Sequence, residues 1–107
     1  MLTRSQVQKI SKALESGKNE MLVIFSALSD EGRMRIFEIL IKHGGLCVTD
    51  IARIINVSVP AASQQLKVME LSGLVKRDRD GQMICYCVAR DKEKIRQIIR
   101  LISGENK

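Results

Sequence analysis

Residues 58–75, SVPAASQQLKVMELSGLV, decide the fold of this chain, because they predict an amphipathic helix with a defined start and end. Ser58 is a favourable N-cap, and Pro60 falls in the first turn, where a missing N–H costs no helical hydrogen bond. Gly73 is placed to end the helix, and Leu74 can fold back over its last turn. We expect a buried stripe along one side of this helix, made of Ala62, Leu66, Met69 and Leu71.

The opposite side of this helix is polar and carries Ser63, Gln64, Gln65 and Lys67, with no carboxylate before Glu70. Short or forked hydrogen-bonding groups with one cation suit the electronegative major groove of DNA, where amides and hydroxyls read base edges. An ordinary solvated helix face is the alternative interpretation of the same residues. The segments on either side of the helix bear on that choice.

Two flanking segments complete a winged helix-turn-helix pattern. Residues 49–55 predict a short helix with apolar positions at 51, 52, 54 and 55, and Asn56-Val57 predicts a tight turn before the longer helix. Beyond that helix, residues 74–88 predict two strands joined by a turn at Asp80-Gly81, a pair typical of hairpins. A cation-bearing hairpin beside a polar-faced helix favours contact with DNA.

This pattern assigns DNA-binding roles to seven side chains. Ser63 and Gln64 are predicted to meet base edges. Three others on or before the helix are predicted to lie nearer the DNA backbone: Ser58, Gln65 and Lys67. Arg77 and Arg79 in the wing are predicted to contact phosphates.

The chain resembles the ArsR/SmtB family of dimeric metalloregulatory repressors over about residues 22–90. The matching pieces are Ala27-Leu28-Ser29-Asp30, Arg33, Arg35-Ile36, Ser58, Pro60, Ser63, Leu66, Ser72-Gly73-Leu74-Val75, Asp80-Gly81 and Tyr86. Glu31-Gly32 replaces the usual Pro-Thr of the family, and Gln64-Gln65 stands where many members carry a histidine or arginine. The resemblance implies a repressor that binds double-stranded DNA as a homodimer at an inverted-repeat operator.

The expected fold is mainly α with a small β-wing, comprising five or six helices and a two- or three-stranded antiparallel sheet. The strands are predicted at about Leu46–Cys47, 75–79 and 83–89. The remaining helices are predicted at 5–17, at 20–28, at 31–42 after a cap at Asp30, and from a cap at Asp91 to 102. Gly17-Lys18-Asn19 is expected to interrupt the helical pattern and so to separate the first helix from the second.

Length and composition agree with a small regulator. The 107 residues predict one winged helix-turn-helix domain over 1–107, whose terminal helices serve for dimerisation. The formal net charge of +6 favours a polyanionic partner. No apolar run reaches the roughly 18 residues of a membrane span, and no signal peptide is visible. Three cysteines without a secretion signal indicate a reducing cytoplasm.

The final helix carries an isoleucine stripe with the spacing i, i+3, i+4, i+7. Its members are Ile95, Ile98, Ile99 and Ile102. The family resemblance implies that the first and last helices form a two-fold dimer, which would set two recognition helices about 34 Å apart. Packing of the stripe inside its own chain is the alternative.

The metal sites known in the family lack their ligands in this sequence. Members that bind zinc on the last helix need carboxylate and histidine ligands there, and this last helix has no histidine. Members that bind arsenite or cadmium carry a CVCDLC-like stretch, which here reads CVTDIA and keeps only Cys47. His43 is more simply interpreted as a helix-terminal residue than as a ligand.

The three cysteines suggest a different site. Side-chain alternation along the short strand and the second wing strand predicts that Cys47, Cys85 and Cys87 share one outer face of the sheet. Three thiolates there could bind a soft metal or metalloid ion, namely As(III), Cd(II), Zn(II) or Cu(I). They could instead oxidise reversibly, or serve as small apolar filler. No cofactor beyond such an ion is implied.

An enzyme is not expected, because the sequence offers no Ser/His/Asp set, no glycine-rich phosphate loop and no paired carboxylates in an apolar setting. Two functions remain. The first is a DNA-binding repressor released by a thiol-reactive or soft-metal signal, and the second is a winged-helix module for protein–protein contact without ligand sensing. The polar, cation-flanked face of the 58–75 helix favours the first.

Overall fold

The computed structural model describes residues 1–16 and 20–104, and over these residues it confirms the winged helix-turn-helix fold with six helices and three strands. The helices are α1 (Arg4–Ser16), α2 (Glu20–Leu28), α3 (Glu31–Lys42), α4 (Val48–Ile55), α5 (Val59–Leu71) and α6 (Glu93–Ser103). The strands are β1 (Leu46–Cys47), β2 (Val75–Asp80) and β3 (Met83–Val88). The break expected at Gly17-Lys18-Asn19 lies outside the described residues.

The three strands form one antiparallel sheet in the order β1-β3-β2, so the second wing strand is central. Leu46 pairs with Tyr86 across β1 and β3, and Val75 pairs with Val88 across β2 and β3. The hairpin turn lies at Gly81-Gln82, one residue later than the Asp80-Gly81 prediction, because Asp80 still pairs with Met83. Gly81 has φ +64°, which suits the first central position of a two-residue hairpin loop.

The core is mainly aliphatic, with Phe37 and Tyr86 as its aromatic members. Ile36, Phe37 and Leu40 of α3 form its middle, and every one of them is at most 1% exposed. Other buried side chains come from α2, α4, α5, both wing strands and α6: Ile24, Leu28, Ile51, Leu66, Met69, Val75, Tyr86, Val88 and Ile95. The helix-turn-helix and the wing are therefore packed on a common centre, which fixes their relative position.

The isoleucine stripe of α6 packs inside the chain. Ile95, Ile98 and Ile99 are 0%, 3% and 5% exposed in the single chain, and Ile102 packs partly buried against the same core. Intrachain packing, the alternative to a dimer seam, is thus the arrangement found. The helix begins after Lys92 rather than after the predicted cap Asp91, whose carboxylate is held 2.9 Å from the Lys76 ammonium.

Two apolar side chains of the helix-turn-helix lie on the outside of the single chain, and one of them is predicted by the sequence to be buried. Leu71 was expected in the buried stripe of α5, yet it is 80% exposed. It follows Leu66 by five residues, which at 3.6 residues per turn places it on the far side of the helix. Ile54 of α4 is also exposed, whereas Ile51 and Ala52 are buried.

Helix α1 is amphipathic but unburied. All of residues 4–15 are exposed in the single chain, including the apolar side chains of Val7, Ile10 and Leu14. No helix in the described ranges is long and apolar enough to cross a membrane. Among residues 1–16 and 20–104, therefore, nothing covers the apolar side of α1.

Candidate nucleic-acid interface

The turn between α4 and α5 is built from a left-handed residue and a side-chain cap. Asn56 has φ 60° and ψ 52°, a conformation that asparagine tolerates better than most residues, and it ends α4. The Val57 N–H then donates to the Ala52 carbonyl at 2.9 Å. Ser58 Oγ accepts from the Ala61 N–H at 3.2 Å and starts α5. The cap uses Ser58 Oγ as an acceptor and leaves its O–H free to donate, so the same hydroxyl can start the helix and still meet a second partner.

The outer face of α5 is free of intramolecular hydrogen bonds at three positions predicted to contact DNA. Ser63, Gln64 and Lys67 are exposed, while Ala62, Leu66 and Met69 on the opposite face are 0% exposed. Within the described residues no ion pair or side-chain hydrogen bond engages these three polar groups. The helix thus presents a hydroxyl, an amide and an ammonium to solvent from a rigid, fully packed base.

Gln65 has a different position from its neighbour. It is half-buried, its Nε2 donates to Asp30 Oδ2 at 3.0 Å, and its Oε1 accepts from Arg33 Nη1 at 2.8 Å. Arg33 also donates through Nε to the Ala27 carbonyl at 2.7 Å. Both ends of the Gln65 amide are therefore used to join α5 to the first turn of α3, and Gln65 acts here as a positioning residue.

Asp30 completes this junction. Its carboxylate caps α3 by accepting from the Arg33 N–H at 3.0 Å, and that bond is the main reason why the pKa of Asp30 lies below its usual value. A Cβ at Gly32 would come within 3.1 Å of Gln65 Nε2 and 3.2 Å of Asp30 Oδ2. The glycine that departs from the family pattern thus leaves room for the Asp30–Gln65 hydrogen bond.

The two arginines of the wing point to the same side of the sheet. Because side chains alternate along a strand, Arg77 and Arg79 share one face of β2, where they lie opposite Tyr86 and Ile84 of β3 respectively. Arg77 Nε is 3.7 Å from Glu70 Oε2 of α5, so the charge of this guanidinium is partly neutralised by that carboxylate. Arg79 has no ion pair among the described residues, and it is the freer of the two cations that were predicted to contact phosphates.

The structure brings two of the three cysteines together on the other face of the sheet. Cys47 and Cys85 are paired in register across β1 and β3, and their sulfurs are 2.9 Å apart. Cys87 lies two residues further along β3, opposite Lys76 of β2. All three are free thiols and half-buried. The close pair is therefore Cys47 with Cys85.

The environment of Cys85 favours its protonated thiol. The pKa of Cys85 is raised to about 11, chiefly by its hydrogen bond with Cys47, then by burial and by the nearby carboxylates of Asp80 and Asp78. Arg77 and Arg79 extend from the opposite face of β2, and they do not lower this pKa.

The residues present do not fit a metal of the kind that the family binds. Within the described part of the chain, no group of three or more His, Cys, Asp or Glu side chains is arranged to hold a metal ion. His43 is exposed and forms the C-cap of α3, where its backbone N–H donates to the Ile39 carbonyl at 2.8 Å. No step of the function is therefore assigned to a bound metal.

Comparison with known proteins agrees with this geometry. Residues 30–77, from the cap of α3 into the wing, match the family described as "Bacterial regulatory protein, arsR family". The chain belongs to the ArsR family. The matched segment includes the whole helix-turn-helix and ends in the first wing strand.

Two relatives of this ArsR-family chain carry regulator names. The cadmium resistance transcriptional regulatory protein CadC homolog of Staphylococcus aureus is 36% identical over 76 residues, which is 71% of this chain. The match spans only 61% of the length of that relative. The transcriptional repressor SdpR of Bacillus subtilis is 35% identical over 63 residues, covering 59% of this chain and 69% of the repressor.

A solved structure gives the fold independently. It is the homodimeric winged helix-turn-helix DNA-binding domain of a possible ArsR-family transcriptional regulator from Mycobacterium bovis. The similarity has a TM-score of 0.70 at 20% identity and covers 97% of this chain and 86% of that one. At this identity the likeness establishes the fold alone.

Proposed function

We propose that this protein is a sequence-specific DNA-binding repressor that acts as a homodimer on an inverted-repeat operator. The observation that carries the proposal is the outer face of α5, where Ser63, Gln64 and Lys67 are exposed on a helix fixed by its packed base. Amide and hydroxyl groups on such a face match the hydrogen-bonding edges of the major groove. The repressor names of its relatives support the same role.

Electrostatics supports contact with the DNA backbone. Arg79 extends from the wing without an ion pair among the described residues, and Lys67 is likewise unpaired on α5. Cations beside a groove-reading helix release counterions from phosphates on binding, which makes the affinity depend on salt. The formal net charge of +6 strengthens this attraction. We propose that the repressor acts in the cytoplasm.

The proposed dimer uses apolar surface that the single chain leaves uncovered. This surface includes Val7, Ile10 and Leu14 of α1, Leu22 and Phe25 of α2, and Leu101 of α6, each at least half exposed. The isoleucines of α6 do not themselves contact the partner in this dimer, because they are buried in the core of their own chain. The terminal helices and the central winged helix would then form one domain with a two-fold partner.

Fluorescence anisotropy on labelled DNA from upstream of its own gene tests the proposal, with a scrambled duplex of equal length as control. We expect tighter binding to the upstream DNA and a linear fall of log affinity with log salt concentration. Arg79→Ala should weaken binding to both duplexes and reduce the salt slope by about one unit. Binding to neither duplex would instead support the alternative of a winged-helix module for protein–protein contact.

A further inference from the structure

We propose that Cys47 and Cys85 form a reversible disulfide that changes the DNA affinity of this protein, with Cys87 outside the reaction. The regulatory half of this proposal rests on the proposed DNA-binding function. The disulfide itself rests only on the geometry of the sheet. The oxidant is of the class of low-molecular-weight disulfides.

The register of the sheet makes this pair specific. Cys47 and Cys85 face each other across β1 and β3, with their sulfurs 2.9 Å apart. A disulfide bond is about 2.05 Å long and joins residues whose Cβ atoms are about 3.5–4.5 Å apart, a spacing that opposed residues of antiparallel strands approach. Cys87 instead faces Lys76. The same chain thus offers a paired thiol and an unpaired one on a single strand.

The reaction is a balanced two-electron exchange. The thiolate of one cysteine attacks a sulfur of the small disulfide, forms a mixed disulfide and releases the first small thiol. The second cysteine, after losing its proton to solvent, attacks the protein sulfur of that mixed disulfide and releases the second small thiol. Two protein thiols are oxidised to one disulfide, and one small disulfide is reduced to two thiols. An excess of a dithiol reductant reverses the sequence.

The bond would join the two parts of the DNA-binding surface. Cys47 is the N-cap residue of α4, the first helix of the helix-turn-helix, and Cys85 lies in the central strand of the wing sheet. Closing the sulfur gap from 2.9 Å to about 2.05 Å changes the junction from which α4 and the wing both extend. DNA affinity changes by the difference in binding free energy between the two junction geometries.

The test begins with chemistry that needs no DNA. The purified full-length protein is treated with oxidised glutathione, the remaining thiols are alkylated, and the disulfides are mapped by mass spectrometry without reduction. We expect a Cys47–Cys85 peptide in the wild type and in Cys87→Ser, and its return to free thiols with dithiothreitol. Circular dichroism confirms that the serine variants are folded. Absence of this peptide, or preferential pairing of Cys87, would overturn the proposal.

The second part measures DNA binding of the reduced and oxidised forms. Oxidation should change the affinity for the upstream DNA at least threefold in the wild type and in Cys87→Ser, but not in Cys85→Ser. An unchanged affinity in a protein shown to hold the disulfide would overturn the regulatory role. If the reduced protein binds no DNA, the proposed function fails, while the peptide map still decides whether the disulfide forms.

Discussion

Gln64 and Gln65 are adjacent and chemically identical, yet their amides lie in opposite surroundings. The Gln64 side chain is exposed on the outer face of α5, whereas the Gln65 amide is bonded to Asp30 and Arg33 at 3.0 and 2.8 Å. We therefore expect Gln64 to be available for contact with DNA, whereas Gln65 holds the helix against α3. Substituting each in turn distinguishes the two roles.

Gln64→Ala should lower affinity for the operator by about 1–3 kcal/mol with little effect on scrambled DNA, because a base-edge contact is lost. Its unfolding free energy should stay near that of the wild type. Gln65→Ala is the matched control and should lower the unfolding free energy by about 1–2 kcal/mol, since two partners lose a hydrogen bond. Anisotropy and urea unfolding measure the two effects. Equal loss on both duplexes for Gln64→Ala would exclude base readout.

Asp30 makes the α3 junction sensitive to acid. Because its pKa is lowered in the folded chain by the Arg33 N–H and Gln65 hydrogen bonds, its stabilising effect is complete above the unfolded pKa of about 3.9. The effect is lost as pH falls through the folded pKa. Asp30→Ala should therefore be less stable than wild type at pH 7, and the difference in unfolding free energy should shrink as the pH falls through the lowered pKa of Asp30. Urea midpoints across pH measure it, and a gap independent of pH would contradict the role of the charge.

At the scale of elements, α6 is a core helix with an exposed apolar edge. Ile98→Asp should destabilise the chain by at least about 3 kcal/mol, because the residue is 3% exposed and its new charge finds no partner. Leu101→Asp on the same helix is the control and should keep the fold, since Leu101 is 76% exposed. Thermal melts followed by circular dichroism compare the two variants. A folded Ile98→Asp protein that had only become monomeric would assign Ile98 to the dimer interface instead.

Sequence periodicity predicted the elements better than the partners of their faces. The spacing at 95, 98, 99 and 102 predicts a buried stripe, and the family resemblance assigns that stripe to the dimer seam. The same spacing fits a core, and the single chain packs the stripe into its own core. Strand alternation predicted that Cys47 and Cys85 share a face, and the register confirms that they pair. The sequence predicts the hairpin turn one residue too early, at Asp80-Gly81 instead of Gly81-Gln82, because an aspartate can end a strand or begin a turn.

The sequence does not predict the polar contacts between residues far apart in the chain. Gln65 lies 35 residues from Asp30 and 32 from Arg33, and nothing in the spacing of α3 and α5 indicates that these three groups meet. The only local signal was Asp30 as a helix cap, which the structure confirms. Leu71 lies at the end of α5 and is exposed, although its apolar character predicts burial. Apolar character alone therefore does not give the direction of a side chain at a helix end.

At the scale of the whole molecule, α1 is the element that the single chain does not bury. A helix of 13 residues is marginal alone in water, so its stability must come from packing. Ile10→Asp should convert a dimer into monomers at micromolar concentration while α3 to α6 keep their fold. Gln8→Asp adds the same charge on the polar side of α1 and should leave the dimer intact. Sedimentation velocity reports both, and a wild-type monomer at that concentration would refute the dimer.

The two-residue strand β1 has a consequence for the time scale on which the sheet moves. It is an edge strand, and Cys47 in it is separated from Cys85 in β3 by 38 positions. Its few contacts therefore offset only part of the entropy that is lost when so long a loop closes. Edge segments of this kind open locally at a lower free energy than global unfolding. Each opening separates the sulfurs of Cys47 and Cys85 and exposes them to solvent. The alkylation rate of Cys47 under native conditions should therefore rise when this strand leaves the sheet more often, while the rest of the protein stays folded.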